Sequence, residues 1–167
     1  EDEFFIKFKN FFIIIFIFTV ILIAFFNLDN LIYQRGMISQ STYPFYINGI
    51  IKWSLLFGLS SIISILIFYN LKNKKLIYFL SFLSIFEASI SNFSYLSRAS
   101  IFNTFAIFVG VYKSNKFFKL NFNFKYFMVY ILSIIFFFVV TTFAVNFYRT
   151  YYYYSEVHHA KKDVSIN

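Results

Sequence analysis

The sequence predicts an all-α, polytopic membrane protein of about five transmembrane helices, with its N-terminus inside and its C-terminus outside. Three observations carry this. Apolar residues make up 60% of the chain and charged residues 13%, with a mean hydropathy of +0.69, far from a soluble domain. Apolar runs long enough to cross a hydrocarbon core of roughly 30 Å recur along it. Lysines gather at the ends of those runs, where membrane-edge cations belong.

The first span covers residues 8–28, behind Lys7 and Lys9. No small-residue cleavage motif follows it, so it reads as a span rather than a signal peptide. A polar loop comes next, with Asp29, Gln34, Arg35, Gly36, Gln40 and the only proline, Pro44. Pro44 suits an entry turn and Asn48-Gly49 is turn chemistry, so the second span opens near residue 47 and runs to 69. Tyr43, Tyr46 and Trp53 stand where an aromatic belt anchors a helix. A basic hinge, NLKNKK, leads to the third span at residues 76–93. The fourth, residues 99–112, is short unless Lys113 and Lys116 reach back to the interface. A lysine loop precedes the fifth, residues 126–147, after which an aromatic girdle leads into a polar tail.

The third and fourth spans hold the most informative stretch, EASISNFSYLSR from Glu87 to Arg98. A single helix from Leu76 to Tyr112 would be about 55 Å long, so the chain must break and turn inside this polar segment. Ser81, Ser84, Glu87, Ser91, Ser94 and Arg98 follow spacings of three and four and share one helical face. Polar and charged groups at membrane depth are costly and face a protein interior or a watery cavity. Five helices are too few to bury such a stripe, because lipid offers it no hydrogen bonds; this argues for further helices. The opening residues EDEFF, without an initiator methionine, indicate either a processed product or a piece of something longer.

Charge placement sets orientation and narrows the chemistry. With the N-terminus inside, nine lysines fall on the inner side and six cations on the outer. All three arginines, Arg35, Arg98 and Arg149, fall outside, although lysine outnumbers arginine twelve to three. The guanidinium fork grips phosphate with two prongs where an ammonium offers a point charge. An anionic ligand at the outer face follows, phosphate or diphosphate being the natural candidate. The net charge of +8 needs no nucleic-acid partner, since membrane-edge lysines account for it. Cysteine is absent, which excludes disulfides, zinc-thiolate sites and thiol nucleophiles. Four isolated glycines make no phosphate loop. His158-His159 lacks ligand-spaced carboxylates beyond Glu156, so no metal site and no cofactor is expected. Glu87, the only carboxylate inside a span, is a candidate acid or base.

The blocks YPFYINGIIKWSLLFGL and FEASISNFSYLSRASIFN, from about Tyr43 to Asn103, resemble the O-antigen polymerase family, the oligosaccharide repeat unit polymerases. The shared features are the proline-asparagine-glycine entry to a span and the serine-rich turn that ends in Ser-Arg. Members of that family are usually more than twice this length, with a large periplasmic loop that has no counterpart here. The resemblance implies glycosyl transfer at the outer face of a bacterial inner membrane, polymerising undecaprenyl-diphosphate-linked glycans into O-antigen or other surface polysaccharide. On that reading the residues singled out above take roles: Arg98 and Glu87 as catalytic residues, with Arg35, Asn48, Ser91, Ser94 and Ser97 binding substrate. The implied partners are the lipid-linked glycans, the bilayer, and a chain-length regulator or further helices of the same protein. Two other classes fit the same residues: a transporter or flippase section for lipid-linked polysaccharide, and a structural subunit of a larger membrane complex.

Overall fold

The computed structural model describes residues 3–39, 41–70, 74–117 and 124–164. Gln40, residues 71–73 of the basic hinge, and Lys119 of the lysine loop lie outside the described residues. The fold is all-helical. It comprises α1 (Glu3–Asn30), α2 (Phe45–Trp53), a π-helical turn (Ser54–Gly58), α3 (Leu59–Tyr69), α4 (Lys74–Ser94), α5 (Ser100–Phe117) and α6 (Phe124–Val164). Among the described residues, four stretches are long and apolar enough to cross a membrane: Lys7–Asn30, the continuous Phe45–Tyr69, Lys75–Ser94 and Phe127–Tyr152. The fifth helix, α5, is apolar only over Ser100–Val111, as its weak sequence signal implied.

Two boundaries differ from expectation for local reasons. Beyond residue 147, where a polar tail was expected, α6 continues to Val164 over 41 residues. No proline or glycine interrupts that stretch, so nothing in it stops helix propagation. The second span widens by a π turn at Ser54–Gly58. There the Trp53 ring lies across Gly58, whose added Cβ would come within 2.5 Å of it. The extra residue in the turn sets positions five apart on one face, and only glycine leaves the ring room.

Helix α4 is the hub, packed against α1, α3, α5 and α6. Its polar stripe faces inward. Ser81, Ser84, Glu87, Ser91 and Ser94 are all buried, Glu87 being 2% exposed. This corrects the expectation that five helices could not cover the stripe: α1 covers it at Ser94, α5 at Ser84 and Ala88, and α6 approaches it at Tyr130. Thr104 of α5 donates to the Ser84 carbonyl at 3.3 Å, and Ser100 donates to the Ala88 carbonyl at 2.8 Å. Lower down, Phe108 stacks on Tyr130 with ring centroids 4.2 Å apart, beside the buried Ile85. The helices that flank the hub on the outside, α1 and α6, keep most of their apolar surface exposed, as lipid-facing helices do.

The turns at one end of the bundle follow a shared pattern. Helix α1 closes with the Ile32 N–H donating to the Asn27 carbonyl, around Leu31 at φ 47°. Helix α4 closes with the Ser97 N–H donating to the Asn92 carbonyl and the Leu96 N–H to Phe93, around Leu96 at φ 53°. Both are Schellman-type caps that put leucine where glycine is favoured. A left-handed leucine costs about 1–2 kcal/mol, which Leu96 offsets by being fully buried. The expected break between Glu87 and Arg98 is thus a cap at residues 95–99, and it brings α5 back alongside α4.

Candidate functional site

A lattice of polar side chains ties the two caps together at the end where the 31–44 loop lies. Asn27, at the end of α1, is fully buried. Its Nδ2 donates to Ser94 Oγ at 2.8 Å and to the Ser94 carbonyl at 3.0 Å, and its Oδ1 accepts from the Tyr33 N–H at 2.9 Å. Ser94 Oγ in turn donates to the Ala24 carbonyl at 2.7 Å. Gln34, also buried, donates to the Asn27 carbonyl at 3.2 Å. The Arg35 N–H donates to the Tyr95 carbonyl at 2.8 Å, which joins the loop to the α4–α5 turn. Asn92 Oδ1 collects the Tyr95 hydroxyl at 3.2 Å and the Ser100 N–H at 3.0 Å. Burial pushes the Tyr95 hydroxyl up to about 12, so this donor keeps its proton.

On this platform the three arginines meet. Arg35, Arg98 and Arg149 line one open cleft of about 290 Å³, with Leu96, Ser97, Ala99 and Phe102 completing the wall. They come from three places: the 31–44 loop, the α4–α5 turn and the far part of α6. Each guanidinium is oriented by a neutral oxygen. Arg35 Nη1 donates to Ser97 Oγ at 3.2 Å, Arg98 Nη2 to Asn146 Oδ1, and Arg149 Nη2 to the Arg35 carbonyl at 2.9 Å. None of the three meets a carboxylate among the described residues, and Arg35 and Arg98 are both exposed. Gly36 follows Arg35 at φ +86°, a left-handed conformation that glycine adopts at no steric cost. It turns the loop where the Arg35 carbonyl receives Arg149. The cleft therefore concentrates positive charge beside apolar surface, Phe102 being 67% exposed.

The residues singled out in the sequence divide into two groups. Arg35, Ser97 and Arg98 line the cleft together. Glu87, Ser91 and Ser94 are enclosed between helices instead. Ser91 Oγ donates to Glu87 Oε1 at 3.0 Å, and Ser94 is spent on Ala24 and Asn27. Glu87 lies on α4 below the cap, and Arg98 above it turns to α6, so the two do not pair. Asn48 stands apart, accepting from Ser41 Oγ at 3.0 Å and donating to the Tyr43 carbonyl at 3.1 Å, where it fastens the entry to α2. Sequence reasoning placed Arg149 only on the outer side with the other arginines, and assigned no role to Asn146, Asn27, Gln34 or Asn92. Arg149 was legible as one of three arginines on a single side of the membrane. The amides carried no signal in a chain rich in asparagine. Among the described residues no group of three His, Cys, Asp or Glu side chains is placed to hold a metal.

Compared with known proteins, the chain matches no family model, no curated protein and no solved structure.

Proposed function

We propose that the arginine cleft binds the phosphate or diphosphate of a lipid-linked substrate, and that the reaction it serves is glycosyl transfer. In this reading the chain belongs to a polymerase of undecaprenyl-diphosphate-linked repeat units, at the outer face of a bacterial inner membrane. The acceptor hydroxyl oxygen forms a bond to the anomeric carbon of the growing glycan and loses its proton to a base, ultimately to solvent. The bond from that carbon to the diphosphate oxygen breaks, and the lipid diphosphate leaves with the electron pair. Negative charge grows on that diphosphate in the transition state, where preorganised donors act most strongly. The convergence of all three arginines, none of them meeting a carboxylate among the described residues, is the observation that supports this reading. The exposed Phe102 at the rim suits a ligand whose head is anionic and whose tail stays in the bilayer. A chain-length regulator, or further helices of the same protein, would complete the assembly.

One observation favours a second reading. Among the described residues no carboxylate lines the cleft, and Glu87 is enclosed with Ser91, so none of those residues offers the cleft a carboxylate base for the acceptor hydroxyl. A protein that binds and moves a lipid-linked glycan without breaking a bond needs no such base. The two separate on turnover. Proteoliposomes given a lipid-diphosphate-linked repeat unit should yield a ladder of glycan lengths in the first case, and transbilayer movement of unchanged lipid in the second. Within the first reading, Arg98→Lys in the complete gene keeps the charge and loses the fork. Polysaccharide should fall severely while protein in the membrane stays near normal. Full-length polysaccharide from that strain would sink the assignment, and loss of the protein itself would point to a structural subunit.

A further inference from the structure

Arg98 needs outside help to face the cleft. It stands in the α4–α5 turn between Ser97 and Ala99, and the acceptor of its Nη2 comes from α6, 48 residues on. That acceptor, Asn146, lies one helical turn before Arg149, so both stand on one face of α6. The same stretch of α6 is firmly docked. Val145 is fully buried, and the Tyr148 ring meets Phe93 of α4 edge-on at 4.9 Å. The amide is therefore held in place by the helix that also brings Arg149. Its chemistry matters as much as its position. An amide oxygen accepts from a guanidinium without carrying charge. A carboxylate there would add an ion pair to the hydrogen bond, and would cancel the field an incoming anion needs.

We propose that Asn146 is a positioning residue of the cleft, holding the Arg98 fork towards an anionic headgroup without neutralising it. This rests on the phosphate-binding reading above. It makes α6 half of the site, through Asn146 and Arg149 together, and it assigns a role to an amide that bears no charge and shows no motif. Asn146 acts through Arg98, so its contribution exists only while Arg98 is present.

A double-mutant cycle tests this on the full chain in lipid nanodiscs, with a polyprenyl diphosphate as the probe and inorganic diphosphate as its soluble counterpart. Asn146→Ala should weaken binding of the polyprenyl diphosphate by about tenfold, the scale of one hydrogen bond to a charged group. In an Arg98→Ala background the same change should have no further effect. An equal loss in both backgrounds would show an independent or merely structural role and overturn the proposal, as would unchanged affinity in Asn146→Ala alone. Asn146→Asp nearly preserves size and serves as the second variant. It should lose more than Asn146→Ala, because its carboxylate occupies the fork; tighter or unchanged binding would refute the neutral-acceptor argument. If the unaltered chain binds neither probe, the phosphate reading itself fails and takes this inference with it. If it binds and Arg98→Ala weakens it while Asn146 variants do not, only the role of Asn146 fails. Binding of inorganic diphosphate as tight as that of the lipid form would assign the cleft to a free anion rather than a headgroup, with the same role for Asn146.

Discussion

At the scale of single residues, the division between cleft and interior decides what each substitution should do. Arg149 enters the site with the same standing as Arg35, since it lines the same wall and anchors on the Arg35 carbonyl. Arg149→Lys should therefore weaken binding of a polyprenyl diphosphate by about tenfold, a fork being lost while the charge stays. Titration of the purified variant measures this, and affinity equal to the parent would remove Arg149 from the site. Glu87 is the opposite case. Glu87→Gln keeps the shape and an acceptor for Ser91, and the side chain is remote from the cleft wall. Affinity for the same probe should stay within about twofold, the surroundings of the arginines being unaltered. A larger drop would show that the buried carboxylate communicates with the cleft after all.

At the scale of elements, caps and turns carry most of the information. The two leucines at the caps share a backbone conformation but differ in burial: Leu96 is fully buried and Leu31 only partly. Replacing either by glycine relieves a left-handed side chain, a gain of about 1 kcal/mol. At Leu96 the lost core side chain costs about 2–5 kcal/mol and dominates. Leu96→Gly should thus be destabilising and Leu31→Gly close to neutral, a contrast that thermal unfolding in one detergent can read directly. Equal effects would mean that the cap geometry, not packing, governs both positions. The π turn makes its own forecast. Gly58→Ala places a methyl against the Trp53 ring, and because that ring is more than half exposed it should swing aside at little cost in stability. Trp53 is the only tryptophan, so its emission spectrum reports the displacement; an unchanged spectrum would place the ring elsewhere.

At the scale of the whole molecule, the bundle assembles its polar groups at one end. The 31–44 loop, the α4–α5 turn and the Asn146–Arg149 face of α6 are far apart in the chain and meet there. Alternation of the helices then puts Lys113, near the far part of α5, at the opposite end. Cysteines introduced at Ile38, which is 89% exposed, and at Lys113 should label from opposite sides of the membrane. With the N-terminus inside, Ile38→Cys should react with an impermeant reagent in intact cells and Lys113→Cys should not. Labelling of both from one side would break the topology, and reversal would place the arginine cleft in the cytoplasm.

Composition and apolar run length were enough to read the helical class, and of the five expected spans four are long and apolar enough to cross a membrane among the described residues, because lipid imposes its length and polarity on every segment separately. The turn inside Glu87–Arg98 was legible for the same reason, since one helix of that length cannot fit a bilayer. The shared face of Ser81, Ser84, Glu87, Ser91 and Ser94 followed from helical periodicity alone. What that face meets was decided by tertiary packing: α1, α5 and α6 close over it, and Glu87 accepts from Ser91 inside the bundle. Tertiary structure also brought Arg149 across 114 residues to the Arg35 carbonyl and Asn146 across 48 to Arg98. Such pairings leave no local trace, because spacing along a helix records which side chains share a face but not which distant face comes to lie against it.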